Sequence, residues 1–335
     1  MKDDYRPIKE FSSNDQGVFV VCEGNFMYGN ASLSYYNKID KSVENAVFFN
    51  ANGIPLGDVA QSLTVYDSTA YVVMNNSGKI YAIDVNTFKY KGKISGLVSP
   101  RYMQFVSPSK AYVTDLYSKC IYVVNPQTFS ITKTINIDDN SGEYYRHSSE
   151  QIVFCENLMF VNSWSYDDKI LVINTDSDEL VDSIQVLRQP RKILLDKNKK
   201  LWVLCDGGFD GSSYSGEAGI VKIDASSLEI EETFSLGTES NPSDMKINSS
   251  GDTIYFINRN VYRFSVNDIA LPTEEYIVAE NKNFYALGLD PHNYDLYVSD
   301  AVDFMQSGVV YRYNASKVCL DTFNVGIIPN SFVFK

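Results

Sequence analysis

The sequence predicts a single seven-bladed β-propeller. Three observations point there: a strand-and-turn unit recurs seven times, the composition suits pleated sheet, and the two chain ends carry complementary parts of one blade. The recurring unit reads Leu33-Ser-Tyr-Tyr-Asn37, Ile80-Tyr-Ala-Ile-Asp84, Ile121-Tyr-Val-Val-Asn125, Ile170-Leu-Val-Ile-Asn174, Ile220-Val-Lys-Ile-Asp224, Val261-Tyr-Arg-Phe-Ser265 and Val310-Tyr-Arg-Tyr-Asn314. Successive starts lie 47, 41, 49, 50, 41 and 49 residues apart, so the variation belongs in loops. The chain is 44% apolar with 24 Tyr and 19 Phe, residue types that fit a half-buried pleated surface.

Each unit resolves into four strands. The inner strand is short, apolar and often opened by proline, as in Pro100-Arg-Tyr-Met103, Pro190-Arg-Lys-Ile193 and Pro242-Ser-Asp-Met245. Proline at a first position removes no ladder hydrogen bond. The second strand ends in Asn or Asp, as in Ala70-Tyr-Val-Val-Met-Asn75, Ala111-Tyr-Val-Thr-Asp115, Met159-Phe-Val-Asn162, Ile254-Tyr-Phe-Ile-Asn258 and Leu296-Tyr-Val-Ser-Asp300. The third strand is the repeated motif, and a polar, alternating fourth follows at 91–94, 131–135 and 229–234. Ile328-Pro-Asn-Ser-Phe-Val-Phe334 reads as an inner strand with no successor, while the copy starting near Gly17 lacks its inner strand. Joining the two closes the ring and hides a free sheet edge. Residues 1–16 are then a tether and 17–335 the propeller.

With 29 basic against 42 acidic residues the formal charge is −13, which repels phosphate backbones and argues against nucleic acid. No apolar run approaches the roughly 18 residues of a spanning helix, and the N-terminus has no apolar signal-peptide core. A soluble chain is expected. Cys22, Cys120, Cys155, Cys205 and Cys319 are odd in number and widely spaced, and are expected as buried thiols rather than a disulfide or zinc framework.

Nucleophile elbows, phosphate loops and zinc-protease motifs are absent from the sequence, and the two histidines, His147 and His292, cannot build a His-rich metal centre. A non-catalytic protein is the expectation. One stretch, Asp206-Gly-Gly-Phe-Asp210-Gly211 through Glu217, matches positions 1, 5, 6 and 12 of a calcium loop, with Gly208 where a further carboxylate would stand. Asp206, Asp210 and Glu217 are therefore candidate calcium ligands.

On a propeller, the connections from second to third strand and from one blade to the next share a face. The first set carries Phe26, Tyr28, Tyr117, Trp164, Tyr166, Phe209 and Phe304 among amides, a composition that makes contact area at low entropic cost. The second set carries Arg101, Tyr144, Tyr145, Arg146, His147, Arg188 and Arg191, expected near the channel mouth. Phe26, Tyr28, Arg101, Tyr117, Arg146, Trp164, Tyr166, Arg191, Phe209 and Phe304 are the candidate ligand contacts.

Val21-Cys-Glu-Gly-Asn25 with Gly29-Asn-Ala-Ser-Leu-Ser-Tyr-Tyr36, and then Ala51-Asn-Gly-Ile-Pro-Leu-Gly-Asp-Val-Ala-Gln61, resemble the YncE-like (DUF5074) surface-layer propellers of gut anaerobes. The blade repeats extend this likeness over nearly the whole chain. Within that family the chain is similar to BtuG-type lipoproteins. The resemblance implies capture of cobalamin or related corrinoids at the cell surface and delivery to an outer-membrane TonB-dependent transporter. It also implies that Met1–Asp4 is the stub left after a lipidated cysteine, which this sequence does not contain. A protein-interaction or glycan-binding scaffold would use the same aromatic loops. A calcium-dependent lactonase would need Glu23 and Asn25 joined by further acidic or amide groups at the channel and by a general base.

Overall fold

The structure is a computed structural model that describes residues 16–140, 147–209 and 211–335. Seven antiparallel sheets stand in a ring, six of them running in chain order from an inner to an outer strand and the first taking its inner strand from the end of the chain, so the seven-bladed expectation is met. The inner strands are Pro329–Phe334, Ala60–Tyr66, Pro100–Ser107, Ser149–Cys155, Pro190–Leu195, Asp244–Ile247 and Phe284–Leu289, for blades one to seven. Pro100 and Pro190 open their strands as expected, whereas Pro242 stands two residues ahead of its own.

Ring closure follows the two chain ends. Pro329–Phe334 pairs antiparallel with Gly17–Cys22, with Val18 opposite Phe334 and Val20 opposite Phe332. Where this closing strand crosses the seventh blade, a Cβ on Gly288 would lie 2.6 Å from the Phe332 Cβ, so only glycine lets the two inner strands approach. The buried pair Lys38 and Asp290, 2.7 Å apart, ties the first blade to the seventh.

The core lies between blades. Second and third strands are covered on both faces, which is why Thr69–Met74 and Lys79–Asp84 read as nearly continuous apolar runs. Fourth strands cover one face only, and Tyr90–Ser95 alternates accordingly, with Gly92 and Ile94 buried. Tyr71, Val73 and Ile80 of the second blade pack on Met103, Val113 and Val124 of the third, and this pattern continues around the ring.

Two blades depart from four full strands. In the sixth the outer strand shrinks to a single bridge between Val261 and Ile277. In the first it is the pair Val43–Glu44, after which a short helix, Val47–Asn52, fills the space. The helix buries Val47 and Phe48 and is bounded by left-handed residues Ala46 and Gly53, φ 54° and 68°. Asn52 fixes its end by donating to Phe48 O and Phe88 O while accepting from Tyr90 N. Nothing in the repeat signals this helix.

Candidate functional site

At one level of the channel each blade contributes one side chain from the start of its inner strand: Asn330, Gln61, Arg101, Glu150, Arg191, Ser243 and Tyr285. In six blades this is the second residue of the strand; Ser243 directly precedes its strand. The same six blades break register there. Ala60 pairs with Met74 and Ser62 with Val73, leaving Gln61 as the extra residue, and Arg191 and Asn330 are bulged alike. In the other three, two residues, Arg101-Tyr102, Glu150-Gln151 and Tyr285-Ala286, face one residue of the second strand. A bulge re-aims a side chain and leaves an N–H off the ladder.

Second-strand polar residues take up those freed groups. Tyr102 N donates to Thr114 Oγ1 at 3.0 Å, Gln151 N to Asn162 Oδ1 at 2.8 Å and Ala286 N to Ser299 Oγ at 2.9 Å. The same side chains donate onward to the next blade: Thr114 to Glu150 O, Asn162 to Pro190 O, and Ser299 to Pro329 O at 2.7 Å. Ser62 likewise donates to Arg101 O at 2.7 Å. Three of the bulges are thus satisfied by the second strand, and four are latched to the next blade, so the ring of side chains stands on a stiff frame.

The ring and its neighbours line a part-open cavity of about 220 Å³, lined also by Glu23, Trp164 and Lys192. Arg101 binds Glu150 through two bonds, Nε to Oε2 at 2.5 Å and Nη2 to Oε1 at 2.9 Å. Arg191 donates through Nε to Ser243 O at 2.9 Å, and its Nη1 lies 3.5 Å from Asp206. Both guanidinium carbons stand 5.7 Å from the Trp164 ring, whose indole N–H donates to Asp206 at 3.1 Å. Burial disfavours the Lys192 charge, yet Asp244 at 3.3 Å outweighs it and holds the ammonium above the ordinary lysine range. Glu23 accepts from Tyr285 Oη at 3.1 Å; burial raises its pKa, and Arg101 offsets only part of that rise. Burial, aided by Glu23, also raises the Tyr285 phenol.

The ten candidate contacts separate into groups. Arg101, Arg191 and Trp164 line the cavity. Tyr166 and Phe209 pack beside it, their centroids 4.9 Å apart, with Trp164 and Tyr214 completing an aromatic cluster. Phe26 and Tyr28 stand 63% and 71% exposed on the first blade's loop, and Phe304, 41% exposed, on the seventh's. Asn25 links those two loops by donating to Phe304 O at 2.7 Å. Tyr117 is half-buried at the third blade. Arg146, with Tyr144 and Tyr145, lies outside the described residues, as does Asp210.

Asp206 accepts from Trp164, Gln189, Gly208 and Arg191, and Glu217 from Ser235, so both remaining candidate calcium ligands have protein donors. Arg188 turns outward to Ser213 O and Ser215 O and covers the Tyr214 ring. His147 is buried against Asp167, and His292 is a turn residue whose N–H bonds Asp290. Cys22, Cys155 and Cys205 are buried thiols as expected; Cys120 is half-buried and Cys319 is exposed, a departure that its place on the outer strand Cys319–Ile327 explains.

Sequence reasoning missed Glu150, Tyr285, Asn330, Gln61, Ser243 and Lys192 as channel residues, and placed Glu23 only as a calcium ligand. A usable signal existed. The residue after the inner-strand proline is Arg101, Arg191, Ser243 or Asn330, and aligning the repeats on that proline picks out four of the seven ring residues.

Solved propellers share this architecture. A quinoprotein alcohol dehydrogenase-like protein from Bacteroides thetaiotaomicron superposes with a TM-score of 0.70 at 15% identity, over 96% of this chain and 78% of that one. The dihydro-heme d1 dehydrogenase NirN gives 0.66 at 10% identity over 98% and 77%, and apo AztD from Citrobacter koseri gives 0.58 at 10% over 95% and 97%. At such identities the likeness is one of fold. Curated proteins supply no match. The family model that does match, described as a domain of unknown function, DUF5074, spans residues 16–327, and the chain belongs to that family.

Proposed function

We propose that this propeller is a non-catalytic capture protein of the cell surface. On this reading its loop face takes up cobalamin or a related corrinoid and hands it to an outer-membrane TonB-dependent transporter. The observation that carries the reading is the open corner between the first and seventh blades. There Phe26, Met27, Tyr28 and Met305 are 63%, 78%, 71% and 60% exposed, beside the amides of Asn25, Asn30 and Gln306. Contiguous exposed apolar side chains rimmed by polar groups mark contact sites. A corrin is broad, partly apolar and fringed with amides, which suits such a surface. The transporter and the lipid anchor rest on the family resemblance.

Calorimetric titration with cyanocobalamin and with a corrin precursor tests the reading. Binding near one to one that is lost in the triple variant Phe26→Ala, Tyr28→Ala, Phe304→Ala supports it. Absence of heat at micromolar concentrations removes the corrinoid and leaves the face to a protein or glycan partner.

A further inference from the structure

We propose that the channel cavity beneath the loop face is a separate binding site for a small organic carboxylate, held between the guanidinium groups of Arg101 and Arg191 over the Trp164 indole. The site does not depend on the corrinoid reading. Its first support is unspent donor capacity. Arg101 commits Nε and Nη2 to Glu150, and Arg191 commits Nε to Ser243 O and Nη1 to Asp206 at 3.5 Å. Among the described residues neither Nη1 of Arg101 nor Nη2 of Arg191 has an acceptor. Both groups line the same cavity, each 5.7 Å from the Trp164 ring centroid, so a single carboxylate in that cavity can accept from the uncommitted N–H groups of both.

Charge points the same way. Arg101, Arg191 and Lys192 line the cavity beside Glu23 and Glu150, so three cations face one small space in a chain whose formal charge is −13, while Asp206 and Asp244 stand behind Arg191 and Lys192. Of the cations only Arg101 has a close two-bond partner; Asp206 also serves Trp164 and Gln189, and Asp244, 3.3 Å from Lys192, is shared with Lys246 at 3.8 Å. Two lining residues also carry buried polar atoms with no protein partner, Asn330 Oδ1 and Ser243 Oγ. The Asn330 orientation is set by its amide N–H, which donates to Gln61 O at 2.9 Å, so the orphan is an acceptor.

Size limits the ligand. A volume of about 220 Å³ holds about seven waters at ~30 Å³ each, too little for a corrin and ample for a four- to six-carbon acid. The frame is already rigid, because four of the six bulges in the ring are latched to the next blade.

The chain has two tryptophans, and Trp202 is fully buried between the fifth and sixth blades, so Trp164 reports on the cavity. The test titrates succinate, neutral succinamide and inorganic phosphate into the purified protein while following tryptophan fluorescence, with calorimetry as a second readout. The expected result is a saturable response to succinate, none to succinamide, and a signal lost in Trp164→Phe. Arg191→Met should weaken succinate by about 10- to 100-fold, the worth of a charge-assisted pair. Arg191→Lys, which keeps the charge and guards against misfolding of the methionine variant, should weaken it by about tenfold through loss of the fork. The double loop-face variant Phe26→Ala, Tyr28→Ala should bind succinate as the parent does, which separates this site from the corrinoid reading; Phe304 is left in place because its ring packs against Tyr285 of the cavity lining. No saturable response at millimolar succinate, equal binding of phosphate, or unchanged affinity in both Arg191 variants overturns the proposal.

Discussion

At the junction of the fourth and fifth blades, Trp164, Tyr166, Phe209 and Tyr214 pack on one another, whereas at the junction of the seventh and first, Phe26, Met27, Tyr28 and Met305 stand in solvent. Both corners are built from aromatic residues among amides and small polar groups on second-to-third-strand connections. Loop shape separates them. The fifth-blade connection folds back on itself, with Gly216 N donating to Gly207 O at 2.6 Å, and it carries Phe209 and Tyr214 onto Tyr166. That fold-back needs glycine at 208, where φ is 94° and a Cβ would lie 2.6 Å from Tyr214 O. The first-blade loop is tied to the seventh through the Asn25 amide, and its aromatics are left free. An aromatic loop is a contact surface only where its own neighbours do not consume it.

The comparison can be broken most sharply at the closed corner. Glu150→Ala leaves the buried Arg101 guanidinium without its two-bond partner; with side chains 6% and 11% exposed, the expected loss is about 3–5 kcal/mol by chemical denaturation. A loss below about 1 kcal/mol would mean the ring carries little of the frame's stability. Trp164→Ala removes a half-buried ring, its bond to Asp206 and two guanidinium contacts, and should cost about 2 kcal/mol, less than a fully buried tryptophan. The three rim substitutions at Phe26, Tyr28 and Phe304 should together change stability by less than about 1 kcal/mol while abolishing corrinoid binding. If they destabilise as much as Trp164→Ala, the open corner is not open.

Two carboxyls give the smallest and finest contrast. Asp303, on the open corner, is pulled down to about 2 by the Gln306 side chain and by the N–H groups of Gln306 and Met305. Its folded value lies below the unfolded one, so its contribution is present above about pH 4 and is lost as pH falls toward 2. Glu23, in the channel, is raised by burial, so protonating it relieves a cost and its contribution moves in the opposite direction as pH falls through its raised folded value. Melting temperature followed from pH 7 to pH 2 should show Asp303→Asn flattening the acid limb and Glu23→Gln removing the gain on mild acidification.

Most of the fold was legible because a propeller repeats its chemistry. Continuous apolar runs at the second and third strands, alternation at the fourth and the unpaired terminal strand follow from burial on two faces, burial on one face and the cost of a free edge. Arg101 and Arg191 were legible as channel residues from their place after an inner-strand proline. Glu150 and Tyr285 were not, because serine and phenylalanine precede them and hide the alignment. The helix Val47–Asn52 was illegible too, since its ends are left-handed turns at Ala46 and Gly53 and no side chain caps its start.

The sequence by itself determined the number of blades, their strand order and the closure of the ring, since each is set by local periodicity and by which ends lack a partner. Only the tertiary structure decided that six inner strands bulge at one level, that Thr114, Asn162 and Ser299 latch those bulges across blades, and that one aromatic corner closes while the other stays open. Those outcomes depend on which blade stands next to which and on how far each loop folds back. Such contacts join residues distant along the chain, and no window of sequence contains both sides of them.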